Sequence, residues 1–257
     1  MTQLELSFVV PAYNEEDFIE EMLGSIDDVI ADKHIPYEIL VVDDGSRDGT
    51  LERARRYAGK NGHVRVLSYS KNVGKGHAVK TGFMKANGNV VVFADSDMEI
   101  DLTVISKYLE ALKYGDIVIA SKKHSESQVD VPVTRRLLSE CFNGLVRLFT
   151  GVPLKDTQSG LKAMKKSEFI NIFPRLAVKR YAFDVELLAV ANLRGLKIVE
   201  MPVNIKLDAK FKPKEMWHMF LDLLGIAYRL RVIHWYQRQL PEKNGFQNMV
   251  SQILREP

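Results

Sequence analysis

The chain has 257 residues, 46% of them hydrophobic and 27% charged, with a net charge of +3. This balance excludes wholesale disorder and offers no general basic surface, so nucleic acid is not an expected partner. The single cysteine, Cys141, rules out an intrachain disulfide, and no run reaches the roughly 18–20 uncharged apolar residues of a membrane-spanning helix.

The N-terminal stretch lacks a basic region ahead of its short apolar run, so no signal peptide is expected. Leu6 to Val10 reads as a short strand that ends at Pro11-Ala12-Tyr13-Asn14-Glu15, with a helical pattern after it through Phe18, Ile19, Met22, Leu23 and Ile26. Tyr37 to Val42 is a second strand, ending at Asp43-Asp44-Gly45-Ser46, and a short helix over residues 51–57 follows. Val64 to Tyr69 is a third strand, and Asn72-Val73-Gly74-Lys75-Gly76 opens the next helix. The fourth strand runs over residues 90–94, and a helix through Val104, Tyr108 and Leu112 leads to a fifth strand, Ile117 to Ala120. Strands alternating with helices in this way predict a parallel α/β sheet, whose strand-end loops gather at one edge.

The alternation then stops. Residues 122–133 are polar and aperiodic and read as a mobile loop. An amphipathic helix follows from Arg135 through Phe149. Asp156 to Gly160 reads as a turn before an extended segment, Leu161 to Met164; Phe183 to Leu193 reads as a helix and Lys197 to Val203 as a strand. Residues 213–238 predict one long helix with a narrow polar stripe of His218, Asp222, Gly225 and Arg229. On this reading residues 1–208 form the main domain and 209–257 a C-terminal amphipathic segment.

Residues 90–94 have no polar face, as expected of a strand buried on both sides, and the run stops at Asp95 and Asp97 with Glu99 beyond. If the segment stays extended, these three carboxylates point the same way. Carboxylates so placed repel one another unless a cation lies between them, and oxygen ligands suit Mg2+ or Mn2+ held together with substrate phosphates. Ligands of open parallel sheets bind beyond the carboxyl ends of the strands, which is where this acidic stretch falls. Taken alone, the stretch equally describes a solvated acidic turn.

Asp43-Asp44 occupies the place of an acid that holds a base or ribose, or is a plain polar turn. Asp44, Ser46, Asp48 and Gly49 begin like a calcium loop, but the twelfth position is Arg55 rather than Glu, which excludes one. Gly74-Lys75-Gly76 belongs to neither a P-loop nor a dinucleotide fingerprint, although a helix N-terminus there still attracts anions. Lys122, Lys123, Arg135 and Arg136 form either a solvated basic face or, just past a strand end, a seat for the phosphate of a second substrate.

Together these segments resemble the family 2 glycosyltransferases, which use the GT-A fold. The likeness rests on Val9-Val10-Pro11-Ala12-Tyr13-Asn14-Glu15, Val41-Val42-Asp43-Asp44-Gly45-Ser46-x-Asp48-Gly49-Thr50, Asn72-x-Gly74-Lys75-Gly76 and Asp95-Ser96-Asp97. In the second half, residues 155–162 and 181–188 resemble the polyprenyl-phosphate hexosyltransferases, dolichyl-phosphate glucosyltransferases first and mannose synthases next. The resemblance implies that Pro11, Ala12, Tyr13, Glu15, Val42, Asp44, Lys75, Ala94, Asp95 and Ser96 hold the nucleotide. It implies Mg2+ or Mn2+ on the donor diphosphate through Asp95 and Asp97, with Glu99 where mannose synthases often have Gln. The basic residue facing the lipid phosphate, usually Arg, is Lys122 here, and Arg135 and Arg136 are candidates to share that task. Asp156 and Asp184 are candidates for orienting the acceptor or the sugar.

The function implied is transfer of a hexose, with inversion, from UDP-glucose or secondarily GDP-mannose to a polyprenyl or dolichyl phosphate. A lipid monophosphate is largely anionic at neutral pH and needs little help from a base. Two other classes stay open: a transferase acting on a sugar hydroxyl, and a non-catalytic nucleotide-sugar binder. A polyprenyl phosphate stays in its bilayer, so the enzyme is expected on the cytosolic face of a membrane, attached laterally through the apolar and basic residues of 213–238.

Overall fold

The computed structural model describes residues 5–31, 35–96, 100–130, 132–206 and 213–239. Its strands are β1 (Leu6–Ala12), β2 (Tyr37–Asp43), β3 (Val64–Ser68), β4 (Val90–Ala94), β5 (Ile117–Ala120), β6 (Gln128–Asp130), β7 (Leu161–Lys165), β8 (Ile198–Met201) and β9 (Asn204–Lys206). Its helices are α1 (Ile19–Ala31), α2 (Thr50–Ala58), α3 (Lys75–Lys85), α4 (Ile105–Ala111), α5 (Val133–Thr150), α6 (Lys166–Phe169), α7 (Phe183–Leu193), α8 (Pro213–Ala227) and α9 (Trp235–Gln239).

Among the described residues, seven strands form one sheet in the order β3-β2-β1-β4-β7-β5-β8. Only β7 runs against the others, between β4 and β5. The chain winds outward from β1 to β3 and then returns to β4 on the other side of β1. That reversal opens a crevice at the carboxyl ends of β1 and β4, where ligands of such sheets sit. Because β7 is antiparallel, its start meets the end of β4, with Ala94 opposite Leu161.

Alternation along each strand feeds two cores. Val9, Val42, Phe93 and Ile119 face α3, α5, α7 and α8; Phe8, Val41, Val92 and Val118 face α1, α2 and α4. Both sheet faces are therefore covered, as the unbroken apolar strands require.

The structure departs from the sequence reading in two places. Residues 122–133 are not a featureless loop, because Gln128–Asp130 pairs in parallel with Asn204–Lys206 as a second small sheet. Three residues carry too little periodicity to reveal such a strand. The long helix over 213–238 is broken: α8 ends at Ala227, a wider π turn spans Tyr228–Val232, and His234 takes a left-handed φ of 48° before α9. The stripe residues His218, Asp222, Gly225 and Arg229 are half-buried along the flank of α8 and the π turn. Leu223, Ile226, Leu230 and Tyr236 enter the main core, and Arg229 pairs with the wholly buried Glu186 of α7 at 3.5 Å. The described part of residues 209–257 thus shares its core with the sheet.

Candidate active site

The loops after β1 and β2 are tied to each other. Asn14, in the left-handed region at φ 57°, donates its amide to Ser46 Oγ (3.0 Å) and accepts from the Arg47 amide on Oδ1 (2.9 Å). The Glu15 amide donates to Thr50 Oγ1 at 2.8 Å, and the Gly49 amide to Glu16 Oε2 at 2.8 Å. The Tyr13 ring is left exposed at the rim and Glu15 partly so. Pro11, Ala12, Val42 and Ala94 are buried, and Val42 and Ala94 sit in the two cores. Their side chains support the rim rather than line it. Ser96, also buried, donates its hydroxyl to the Pro11 carbonyl at 3.0 Å and so fixes the end of β4 to β1.

Asp44 joins β2 to the start of α3. It accepts from the amides of Val73 (2.9 Å) and Gly74 (2.8 Å), and its remaining lone pairs can still take a donor from a ligand. Gly74 has a φ of 121°, and a β-carbon there would collide with the Lys179 carbonyl, so the turn that presents Lys75 requires glycine. Tyr69, which the motifs do not mark, places a buried hydroxyl beside Asp44. Burial first, then the Asp44 carboxylate, hold that phenol far above its usual range.

At the centre lies a chain of alternating charges. Lys75 Nζ is 2.8 Å from the Asp95 carboxylate and 3.6 Å from Asp184 Oδ2. Asp184 Oδ1 is 2.8 Å from Lys162 Nζ, and Lys162 donates to the Ser159 carbonyl at 2.6 Å. Asp184 is held below the usual carboxylate range: burial opposes this, but Lys162 and then Lys75 outweigh it. Burial pushes Lys162 below the usual lysine range against the pull of Asp184. Gly160 makes room for this arrangement, since a β-carbon there would run into the Asp95 carboxylate.

Asp95 is the partly exposed end of the chain. A hard oxygen donor at the mouth of the crevice fits Mg2+ or Mn2+ bound jointly with diphosphate oxygens. Asp97 and Glu99 lie outside the described residues. β4 stops at Ala94, and Ser96 is in a turn. Among the described residues no group of three or more His, Cys, Asp or Glu side chains is placed to hold a metal.

The fifth strand builds a second, basic corner. The Lys122 amide donates to Asp156 Oδ2 at 3.1 Å, and Lys122 Nζ is 3.5 Å from the same oxygen. Asp156 is buried, and Glu200 of β8 fixes its loop by accepting from Ser121 Oγ (2.9 Å) and the Asp156 amide (3.2 Å). Glu200 is a second residue that the motifs do not mark. Arg136 is drawn elsewhere: it and Lys123 share Glu140, at 3.6 and 4.0 Å. Arg135 lies in the first turn of α5, and its side chain is outside the described set.

Comparison with known proteins agrees with this architecture. The family profile described as glycosyl transferase family 2 matches residues 7–183. A dolichyl-phosphate beta-glucosyltransferase of Drosophila melanogaster is 36% identical over 259 residues, covering 93% of this chain and 79% of that protein. The proteins so named from Trichomonas vaginalis and Homo sapiens are each 34% identical, covering 91% and 93% of this chain and 74% and 80% of their own. Among solved structures, glucosyl-3-phosphoglycerate synthase of Mycobacterium tuberculosis, in complex with Mn2+, UDP-glucose and phosphoglyceric acid, superposes with a TM-score of 0.64 at 20% identity. That match covers 88% of this chain and 79% of the other, and it shows a shared fold. With the profile spanning the sheet edge just described, the chain belongs to glycosyl transferase family 2 and is a glycosyltransferase.

Proposed function

We propose that this enzyme transfers glucose from UDP-glucose to dolichyl phosphate, with inversion, to give a β-linked lipid-phosphate sugar. The support from relatives is the likeness, over about nine-tenths of the chain, to proteins named for that reaction. The observation that carries the choice of acceptor is the state of the two inner carboxylates. Asp156 and Asp184 are both buried, the first paired with Lys122 and the second with Lys162 and Lys75. Neither is an available base for deprotonating a sugar hydroxyl. A phosphate acceptor is already ionised at neutral pH and needs positioning instead.

On this reading Tyr13, Glu15 and Asp44 take the nucleoside, and Lys75 and Asp95 meet the diphosphate. Lys122 takes the acceptor phosphate, fixed by Asp156 from below. Asp95, with Asp97 as the expected second ligand, would hold a divalent cation, which when bound would supply charge neutralisation for the departing nucleoside diphosphate. Lys122 acts as a point charge without the bidentate fork of Arg.

The acceptor also bears on location. Among the described residues no helix is long and apolar enough to cross a membrane. We place the enzyme at the cytosolic surface of a membrane, held through the outer side of α8 and α9.

The test is a radiolabelled-donor assay with UDP-glucose and GDP-mannose, with and without dolichyl phosphate. Label should enter the lipid phase only from UDP-glucose and only with the lipid present. Transfer to a sugar hydroxyl without lipid, or from GDP-mannose alone, would overturn the acceptor or donor assignment.

A further inference from the structure

Lys162 is a cation in the wrong place for an ordinary lysine. It sits on β7 in the middle of the sheet with 0% exposure, among Leu161, Ala163 and Met164, and its ammonium lies 5.1 Å from the centre of the Phe93 ring. Burying an ammonium is costly and is tolerated only where partners recover the loss. Its partners are Asp184 and the Ser159 carbonyl, at 2.8 and 2.6 Å. No substrate reaches a side chain so enclosed, so whatever it contributes passes through these two groups.

Both groups lead to the donor side of the crevice. Asp184 turns its other oxygen to Lys75, and Lys75 bonds Asp95. Ser159 precedes Gly160, whose carbonyl accepts from the Asp95 amide at 3.1 Å. Lys162 is therefore connected to Asp95 by two indirect routes, one through the side chains of Asp184 and Lys75 and one through the backbone of Ser159 and Gly160.

We propose that Lys162 is a positioning residue for the donor site: it fixes the Asp184 carboxylate, which seats Lys75 against Asp95 where the donor diphosphate is received. This deepens the function proposed above and rests on it for the identity of the donor. Lys162 has no direct contact with Lys122, Asp156 or Glu200, which form their own network at the acceptor corner. The effect of losing it should therefore fall mainly on the donor.

The experiment compares wild type, K162M, D184N and the double variant K162M/D184N, each with UDP-glucose varied at fixed lipid and then the reverse. K162M should raise the donor KM about tenfold or more, the usual cost of losing a group that orients a ligand-contacting residue, and leave the acceptor KM unchanged. A purely structural loss would lower kcat by reducing the folded fraction and leave both KM values alone. In the D184N background the Lys162 substitution should add little, because its route to Lys75 is already cut. If K162M does not fold, the double variant, which carries no unpaired carboxylate there, is compared with D184N alone. An equal donor KM in the two supports the proposal, and a further tenfold rise overturns it. So does a folded K162M with an unchanged donor KM. Failure of the wild type to use UDP-glucose would instead count against the proposed function.

Discussion

Lys75 Nζ sits 2.8 Å from the Asp95 carboxylate, so the first acid of the Asp95-Ser96-Asp97 stretch is paired with a lysine. A divalent cation that uses Asp95 must compete with that ammonium, and the donor diphosphate offers the ammonium a new partner. On the proposed reading, metal and donor binding are expected to be linked.

The first prediction follows from this contact. D97N should lower turnover by about two orders of magnitude or more with thermal stability unchanged, and EDTA should abolish activity. K75M should bind Mn2+ more tightly in the absence of nucleotide and bind UDP more weakly. Electron paramagnetic resonance of free Mn2+ reads the first change and calorimetry the second. Turnover that survives EDTA would remove the metal from the scheme.

The acceptor corner gives the second prediction. K122A should raise the acceptor KM by about tenfold and the donor KM far less, as expected for a lost charge-assisted phosphate contact. E200Q should act in the same direction but more weakly, because Glu200 holds the loop of Asp156, which holds Lys122. A change confined to the donor KM would reassign Lys122 to the diphosphate.

Much of this site is legible in the sequence because it lies at strand ends. A run such as Val90 to Ala94 announces a buried strand, and a polar stop after it announces the edge where ligands bind. What stays hidden depends on pairing across the chain. Lys162 reads as an ordinary lysine until β7 is seen to run backwards through the sheet centre, and Glu200 until β8 is seen beside Ser121. The one available signal for Lys162 is its place between Leu161 and the apolar pair Ala163 and Met164. The break in the last helix accompanies the bond from Tyr236 to Glu186, a contact that no local periodicity encodes.

That contact supplies the third prediction. Burial first, then the Glu186 charge, raise the Tyr236 phenol well above its ordinary value. A group whose folded pKa is raised gives stability that is complete below its unfolded pKa, about 10 for tyrosine, and lost as pH climbs through the folded value. Docking of α9 should therefore weaken above about pH 10. Tyr57, raised to about 12 by burial and Asp27, and the buried Tyr108 add to the same alkaline loss. Y236F should be less stable than wild type near neutrality by about 1–3 kcal/mol, since Glu186 loses a buried donor. Its stability should also fall less steeply from pH 9 to 11. Urea midpoints across that range decide the matter; equal slopes would mean that Tyr236 is not a titrating contributor.

The last prediction concerns the side of α8 opposite Leu223, Ile226 and Leu230, which enter the core. Trp217, Leu221, Leu224 and Tyr228 are exposed, Trp217 by 60%, and their spacing of four, three and four residues places them on one side of the helix. Val232 and Trp235 are exposed beyond them, and Leu137 and Leu148 are exposed on α5. Arg231 donates to the Leu148 carbonyl at 2.9 Å, which joins the end of α5 to the π turn after α8. Aromatic and aliphatic side chains along one side, with the exposed Arg231 and Arg238 near its end, suit a helix lying in a membrane interface. Each basic residue near an anionic surface adds on the order of 1 kcal/mol, reduced by salt. The full chain should therefore sediment with phosphatidylserine-containing vesicles, and less so as salt rises. Because the stripe is exposed, the combined substitution W217S/L221Q/Y228Q should leave UDP binding and the melting temperature near wild type. It should weaken vesicle binding by about tenfold or more, since it removes two aromatic anchors and a leucine from the apolar side. A second copy of the chain covering the same stripe would show instead as a dimer in sedimentation velocity without lipid, lost in the same variant. Unchanged co-sedimentation of the triple variant would mean that α8 is not the anchor.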